Sequence, residues 1–340
     1  MSRAIGFVVI VVLCVGGALA YLWHARARTA PAAAVAADGE LALSDGVLVY
    51  RVSAGGPHDG ALAVAPLQDP GAARLVPGLR CERVHAAAGR GVCLVAERGF
   101  VTRYSAVVFD RRFQPIATLP LAGAPSRTQV SPDGRLAGVT VFVSGHSYAA
   151  GGFSTRTSII DLDTGEWRVE DLEEFAVVRD GQPFSEVDFN FWGVTFTRDD
   201  RTFYATLGTG GETLLVRGDL EARRFEVVAD DVECPSLSPD GRRIAYKHRV
   251  GGGLPGTVRW QPWVLDLESG ARHALAETRN VDDQAQWLGD DQVLYALASA
   301  EARIGSDQWV VPADGSGEPR RLLAGAYSAA VHRDAPPPGS

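Results

Sequence analysis

Lysine, methionine and cysteine are scarce in this chain of 340 residues. Lysine occurs once, at position 247, methionine once and cysteine four times. Acidic side chains number 41 against 33 Lys and Arg, and three of those arginines lie within residues 1–28, which hold no acid. The other residues therefore carry 30 basic and 41 acidic side chains, a net charge of about −11. Because phosphate binding needs a clustered basic surface, this balance argues against a nucleic-acid partner.

A sustained helical period with helix caps is also lacking after residue 40, which argues against an α/β fold. Instead, the phrase Ser-Pro-Asp-Gly-Arg occurs at 131–135 and again at 238–242, and each copy leads into a strand-like run. Proline presets φ for a tight turn, aspartate bonds its own backbone and glycine accepts a positive φ, so the phrase predicts a turn between antiparallel strands. Degenerate copies at 44–46, 85–91, 197–201 and 288–291 raise the number to six.

A second series of turns follows these copies 15 to 35 residues later, at 68–71, 110–113, 163–166, 219–222, 267–270 and 313–316. An apolar, β-prone run such as 106–109 precedes each turn, and another run follows most of them. Four strands per unit and six units predict an all-β fold, a six-bladed β-propeller of four-stranded antiparallel blades. We expect it to span residues 40–333, before a tail at 334–340. Either 328–333 or 40–43 supplies the strand that closes the ring.

The repeat is similar to that of a known family. An inner strand, Ser-Pro-Asp-Gly-Arg, a strand such as Ile244-Ala245-Tyr246 and an Asp-Leu-x-x-Gly turn together resemble the WD-like repeat of TolB-like propellers. The resemblance covers about residues 41–333 and is most specific in the third and fifth units. It implies a six-bladed propeller like the TolB-like translocation proteins of high-GC bacteria, a group defined by its fold rather than by a demonstrated activity.

The first 28 residues predict export. Residues 4–23 form an uncharged stretch that is long enough to cross a bilayer and is flanked by basic residues. An uncleaved signal anchor and a signal peptide cleaved near Ala20 both fit, and both place the propeller outside the cytoplasm. We expect a single-pass cell-membrane protein with its propeller extracytoplasmic and residues 29–39 as an Ala-rich linker. A protein secreted after cleavage is the alternative.

Three cysteines, Cys81, Cys93 and Cys234, remain once Cys14 in the apolar stretch is set aside. In an oxidising compartment a Cys81–Cys93 disulfide would close a short loop and contribute about 3 kcal/mol. Buried thiols are the alternative, because the intervening turn leaves the two cysteines offset rather than opposite. The spacing of cysteines and histidines matches no metal site, and we predict neither a metal nor a cofactor.

Meander topology divides the loops between two faces of the propeller. The turn phrase and the second series of turns share one face, which we call the turn face. The loops between the second and third strands of each blade, and the connections between blades, share the opposite, long-loop face. The loops expected to be long on that face are 53–60, 144–154, 208–212, 248–256 and 298–306. Since variable loops carry function on regular scaffolds, we expect the binding surface on the long-loop face, around the mouth of the central channel.

Polar and aromatic residues predicted at this mouth are the candidate binding residues. They are Arg83, His85, Arg127, His146, Ser147, Tyr148, Asn190, Trp192, Asp282, Asp283 and Gln284, with Glu233 and His248 beside them. Arg83 and Arg127 begin inner strands of neighbouring blades and could both meet an anionic group, the alternative being ion pairs with nearby acids. Core packing is the alternative for Trp192, and solvated loop acids are the alternative for Asp282 and Asp283.

The run Gly145-His146-Ser147-Tyr148-Ala149 resembles a nucleophile elbow, in which a serine sits on a strand-to-helix turn. Hydrolysis would also require a following helix, an oxyanion hole, an acid and a histidine. A glycine-rich segment and a strand-like run follow Ser147 instead, so we expect a Gly/Ser-rich loop.

The predicted function is that of a non-enzymatic, monomeric, membrane-anchored propeller. It would bind a protein, a peptide or an envelope polymer on its long-loop face. An extracytoplasmic hydrolase or carbohydrate-active lyase, with Asp283 and His85 as acid and base, is the alternative, since propeller scaffolds support many chemistries.

Overall fold

A computed structural model of the chain describes residues 14–16, 41–143, 154–251 and 258–335. Within these ranges, 26 strands form six sheets, which are the blades of a propeller. Residues 14–16 are helical, while the rest of the apolar stretch and the linker at 29–39 lie outside the described residues. No helix in the described part of the chain is both long enough and apolar enough to cross a bilayer.

Each of the first three blades has four strands, which follow one another from the central channel outward. Blade 1 consists of β26 (Ala326–His332), β1 (Val47–Val52), β2 (Ala61–Pro66) and β3 (Arg74–Arg80). Blade 2 consists of β4 (Arg83–Ala87), β5 (Arg90–Glu97), β6 (Arg103–Phe109) and β7 (Pro115–Pro120). Blade 3 consists of β8 (Ala124–Val130), β9 (Leu136–Val143), β10 (Ser154–Asp161) and β11 (Glu166–Val169).

The other three blades follow the same order, and blade 4 carries two extra strands. Blade 4 consists of β14 (Asn190–Phe196), β15 (Thr202–Thr209), β16 (Glu212–Asp219) and β17 (Arg224–Asp230), then β12 (Ala176–Arg179) and β13 (Gln182–Phe184). Blade 5 consists of β18 (Glu233–Leu237), β19 (Arg243–Val250), β20 (Arg259–Asp266) and β21 (Arg272–Ala274). Blade 6 consists of β22 (Gln286–Trp287), β23 (Gln292–Ala298), β24 (Ser306–Pro312) and β25 (Arg320–Leu323).

The prediction of six blades built on four antiparallel strands is confirmed. Blade 4 goes beyond it, because the connection from blade 3 includes a short 3-10 turn (Leu172–Glu174) and then β12, which pairs in parallel with β17. Phe175 precedes β12 and contacts Phe225 of β17, with ring centroids 5.2 Å apart. Phe225 also stacks on Phe191 of β14 at 4.9 Å, so this connection completes an aromatic core between blades 3 and 4.

The turn phrase owes its shape to local hydrogen bonds. In the copy before β9, the Ser131 hydroxyl donates to the Asp133 carboxylate at 2.6 Å and accepts from the backbone N–H of Leu136 at 2.9 Å. Asp133 also accepts from the N–H of Arg135 at 3.1 Å, and Gly134 has a φ of 77°. The copy before β19 repeats this pattern, with Gly241 at a φ of 74°. The phrase therefore fixes the register of the first and second strands.

The C-terminal strand closes the ring. β26 pairs with β1 as the innermost strand of blade 1, whereas residues 41–44 form no strand. Ala88 of blade 2 donates its backbone N–H to the Arg333 carbonyl at 2.8 Å, which fastens the end of β26 to the turn of the next blade. Of the two segments considered from the sequence, the C-terminal one therefore supplies the closing strand.

A disulfide joins Cys81 to Cys93, with their Cα atoms 5.3 Å apart. Cys81 lies before β4, and Cys93 lies in β5, so the two residues are diagonal neighbours at the base of the blade 2 hairpin. Both are buried, and Cys234 is a buried free thiol in β18.

Strand connectivity divides the loops between the two faces as expected, with one correction. The loop of blade 4 at 208–212 is not long: β15 runs to Thr209 and β16 begins at Glu212, so Gly210 and Gly211 alone make a tight turn, both with positive φ. The loops at 53–60 and 299–305 are long. Residues 144–153 and 252–257, which form most of the two remaining loops, lie outside the described residues.

Candidate functional site

Charged side chains from three blades and one connection meet near the long-loop ends of the inner strands. Arg83 starts β4, Arg127 lies in β8, and Glu233 starts β18. Lys247 lies near the end of β19, and Asp282 and Asp283 belong to the connection between blades 5 and 6. We call these six residues, together with Arg249, the mouth cluster. The cluster gathers residues that are up to 200 positions apart in the chain.

Arg83 and Asp283 form a buried ion pair. The Arg83 Nη1 donates to the Asp283 Oδ1 at 2.7 Å, and the two side chains are only 11% and 8% exposed. The same carboxylate oxygen accepts from the backbone N–H of Gln284 at 2.9 Å, and the Arg83 guanidinium lies 4.4 Å from the centroid of the Tyr327 ring. Asp283 is therefore a paired, desolvated carboxylate rather than a solvated loop acid.

Lys247, the only lysine, is held between two carboxylates and an aromatic ring. Its Nζ lies 2.5 Å from the Asp282 Oδ1 and 3.6 Å from the Glu233 Oε2, and 4.5 Å from the centroid of the Trp260 ring. Burial alone would raise the pKa of Asp282, but the Lys247 ammonium and the neighbouring guanidinium groups outweigh it, so the pKa lies below its ordinary value. Asp282 is thus an anion, and half of its side chain is exposed.

Arg127 is the cation of the mouth cluster that donates no hydrogen bond to a carboxylate. Its Nη1 donates to the backbone carbonyl of Ser126 at 2.9 Å. The nearest carboxylate oxygens belong to Asp283 and Asp282, at 3.9 and 4.0 Å, which is beyond hydrogen-bond distance. Its Nε is buried and has no hydrogen-bond partner, while the side chain as a whole is 12% exposed.

His85 is buried, with both of its ring nitrogens occupied. The Nδ1 accepts from the backbone N–H of Val130 at 3.1 Å, so the Nε2 carries the proton and faces the Gln286 Oε1 at 3.2 Å. Burial lowers the pKa of His85 to about 4. The imidazole is therefore neutral at neutral pH and serves as a structural link between blades 2, 3 and 6.

Asn190 and Trp192 stabilise the propeller itself. The Asn190 Oδ1 accepts from the backbone N–H of Thr155 at 3.0 Å and from its hydroxyl at 2.5 Å. The Trp192 side chain is buried, and a Cβ placed on Gly208 would come within 2.7 Å of its ring. A ligand platform would require an exposed ring, so the binding role expected for Trp192 is replaced by core packing.

The remaining candidates divide between the mouth and the undescribed loop. The Gln284 amide donates to the carbonyls of Val194 at 3.2 Å and Pro235 at 2.9 Å, which ties the mouth to blades 4 and 5. His146, Ser147 and Tyr148 lie in 144–153, outside the described residues. Among the described residues, no group of three or more His, Cys, Asp or Glu is arranged to hold a metal ion.

Arg83, Arg127 and Asp283 of the mouth cluster line a small cavity together with polar side chains such as Thr128, Gln286, Gln308 and Ser328. It measures about 20 Å³, room for about one water molecule. A larger ligand group therefore meets the cluster from the mouth rather than from this cavity.

Large apolar side chains are exposed on the same face. Phe100 and Val101 lie in the loop between β5 and β6, Ile304 in the loop between β23 and β24, and Val187 in the connection before β14. Each is more than two-thirds exposed, and Phe100 is fully exposed. We call these four residues the apolar loop tips. The turns of the turn face expose no large apolar side chain within the described ranges.

Sequence reasoning missed Lys247, Arg249 and Tyr327. The sequence held one signal for Lys247, which is the single lysine of an arginine-rich chain. The structure places it at a buried position at the mouth. Tyr327 lies in the closing strand β26, whose position in the ring the sequence left open.

Solved structures with the same fold are similar at low sequence identity. TolB from Acinetobacter baumannii matches with a TM-score of 0.56 and 18% identity, over 86% of this chain and 68% of that one. A chain of the nidogen/laminin complex matches with a TM-score of 0.54 and 12% identity, over 83% and 97%. An oligogalacturonate lyase in complex with manganese has a TM-score of 0.49 at 12% identity, over 79% and 74%. No protein-family model and no curated protein matches the chain.

Likeness at such identities is evidence of fold alone, and the resemblance to TolB-like propellers is confirmed at that level. The chain is a six-bladed β-propeller with a fold similar to that of TolB.

Proposed function

We propose that this protein is a non-enzymatic, membrane-anchored extracytoplasmic propeller that binds a protein, a peptide or an envelope polymer on its long-loop face. The observation that carries the proposal is the coincidence of two features on that face. The mouth cluster offers desolvated charges, and the apolar loop tips offer exposed hydrophobic contacts around it. Binding interfaces of proteins combine such features, whereas scattered surface charges alone do not define one.

The point at which the N-terminal segment enters the propeller supports this choice of face. Leu43 is fixed to Arg111 on the turn face: its backbone N–H donates to the Arg111 carbonyl and its own carbonyl accepts from the Arg111 Nη1, both at 2.8 Å. The chain therefore joins the propeller on the turn face. Residues 29–39 can extend by at most about 40 Å. If residues 4–23 anchor the chain, the long-loop face points away from the bilayer and is open to partners.

The Cys81–Cys93 disulfide supports the extracytoplasmic location, because disulfides persist in oxidising compartments. A binding role also agrees with one of the similar structures, which is a complex of two proteins, nidogen and laminin. Secretion after cleavage near Ala20 would leave the same face available.

Capture experiments with matched variants test the proposal. Phe100→Ser and Ile304→Ser each alter a loop tip, and Ile116→Ser and Val228→Ser are controls because they remove exposed apolar side chains from the outer strands β7 and β17. Envelope extract is passed over each immobilised full-length variant, and captured material is compared with that of the wild type. We expect the loop-tip variants to lose a partner that the controls keep. Equal capture by all four variants would contradict the proposed face.

The enzyme alternative has its own test. The acid and base named for it, Asp283 and His85, are engaged in an ion pair and in two hydrogen bonds respectively. A fluorophosphonate probe that labels the wild type but not Ser147→Ala would establish a nucleophilic serine and overturn the non-enzymatic proposal.

A further inference from the structure

The mouth cluster contains one more cation than anions. Its cations are Arg83, Arg127, Lys247 and Arg249, and its anions are Glu233, Asp282 and Asp283. This excess of one positive charge occurs in a chain whose formal net charge is −8. A positive site in an otherwise acidic protein favours an anionic ligand at this position.

Arg127 accounts for the excess. Arg83 is paired with Asp283 at 2.7 Å, Lys247 with Asp282 at 2.5 Å, and Arg249 with Glu233 at 3.2 Å. Arg127 has no carboxylate within hydrogen-bond distance, and its Nε is a buried donor without a partner. Because an unsatisfied donor of a charged group is costly to bury, an acceptor that reaches Arg127 is stabilised there.

The contacts of Asp282 indicate that a carboxylate is the acceptor suited to the position beside Arg127. The Asp282 carboxylate lies between the Lys247 Nζ and the Arg127 Nη2, at 2.5 and 4.0 Å, and is half exposed on a connection between blades. Lys247 therefore already holds one carboxylate, supplied by the chain itself, close to Arg127 but beyond hydrogen-bond distance from it. Guanidinium groups bind carboxylates through parallel hydrogen bonds, and the Nε of Arg127 is a donor without a partner.

We propose that Arg127, with Lys247 beside it, forms a carboxylate subsite of the long-loop face. It takes either the terminal carboxylate or an acidic side chain of a bound peptide, with Asp282 as an internal competitor. This inference rests on the proposed binding function and adds the chemistry of the ligand group. The cavity beside Arg127 has room for about one water molecule, so the ligand group approaches from the mouth.

The single lysine gives a direct assay. Full-length protein grown with ¹⁵N-lysine has one labelled residue, Lys247. Its NMR signals are followed during titration with three probes: acetyl-Gly-Gly-Ala, its C-terminal amide, and amidated acetyl-Gly-Asp-Gly. We expect a saturable shift with one or both carboxylate peptides and none with the neutral amide. The first and third probes distinguish a terminal from a side-chain carboxylate. An equal shift with the amide, or no shift with any probe, would overturn the proposal.

Two substitutions should act in opposite directions. Arg127→Gln should weaken carboxylate binding about tenfold or more, since a charged hydrogen-bonded pair is lost, and Arg127→Lys should restore part of it. Asp282→Asn removes the competitor from a half-exposed position and should tighten binding. Arg90→Gln on the turn face is the control and should leave binding unchanged, because Arg90 pairs with Asp163 far from the mouth. Unchanged affinity in both Arg127→Gln and Asp282→Asn would refute the subsite.

The same variants separate this inference from the proposed function. If Phe100→Ser loses the envelope partner while Arg127→Gln fails to alter carboxylate binding, the binding face stands and the subsite is refuted. If the peptides bind through Arg127 but no loop-tip variant changes capture, the subsite stands and the proposed function is refuted.

Discussion

His332 is the side chain whose removal tests the closure of the ring most sharply. It is fully buried in β26. Its Nε2 accepts from the backbone N–H of Gly89 at 2.9 Å, so its Nδ1 carries the proton and donates to the Ser44 carbonyl, also at 2.9 Å. One imidazole thus joins the C-terminal strand to the first turn of blade 2 and to the segment before β1.

The cost of His332→Ala follows from these contacts. The buried backbone N–H of Gly89 loses its partner, which costs about 1–3 kcal/mol, and the less buried Ser44 carbonyl loses one at a smaller cost. The vacated ring volume adds a cavity cost, which water entering the space would partly offset. We therefore expect the free energy of unfolding to fall by about 3 kcal/mol, a large share of the stability of a typical domain.

Urea unfolding followed by tryptophan fluorescence at pH 7.5 measures this change. His273→Ala is the control, because His273 is exposed and its ring makes one hydrogen bond, to the Ala313 carbonyl at 2.8 Å. We expect it to cost less than about 1 kcal/mol. A loss in His332→Ala no larger than that of the control would refute the role assigned to the closing strand.

The pH dependence of stability gives a second check on the same residue. Burial lowers the pKa of His332 below its ordinary value, so the unfolded chain takes up a proton more readily than the folded protein. The stability is therefore fully present above about pH 6.5 and declines as the pH falls towards the folded-state pKa. We expect this decline between pH 7.5 and 5 to be smaller in His332→Ala. Identical declines would contradict the assignment.

Three further expectations concern other contacts. The double variant Cys81→Ser/Cys93→Ser loses a bridge between residues 12 positions apart and should unfold with about 3 kcal/mol less free energy; unchanged stability of the wild type under reducing conditions would contradict this. Arg83→Met leaves Asp283 buried without its partner and should cost about 3–5 kcal/mol, most of it regained in Arg83→Met/Asp283→Leu; a double variant as unstable as the single one would argue otherwise. Burial and a neighbouring carboxyl raise the pKa of Asp200 to about 7, so the stability from its bound proton is present below about pH 4 and is lost as the pH rises through 7. Asp200→Asn should flatten that part of the pH profile, and an unchanged profile would be evidence against the assignment.

The blades were predictable because their signals are local. Ser131, Asp133 and Gly134 make their turn with one another and with the next strand, so the phrase carries its structure wherever it occurs. Blade 4 was less predictable. The β12 strand is short and pairs in parallel, and β15 continues past Gly208, whose missing side chain leaves room for the Trp192 ring, to a tight turn at Gly210 and Gly211.

The candidate site was predictable in its place but not in its pairing. Arg83, Arg127 and Asp283 were expected at the mouth from the order of the strands. Their ion-pair partners could not be predicted, since Arg83 and Asp283 are 200 residues apart in the chain and meet only when the ring closes. Lys247 belongs to no motif, and its burial depends on the carboxylates that surround it.

Site-specific photo-crosslinking in intact cells tests the central claim most directly. A photoreactive amino acid is placed singly at Phe100 and Ile304 on the long-loop face, at the exposed Arg242 on the turn face and at Ile116 on an outer strand. We expect a shared crosslinked partner from positions 100 and 304 and none from 242 or 116. Crosslinking to that partner from 242, with none from 100 or 304, would show that the binding surface lies on the opposite face.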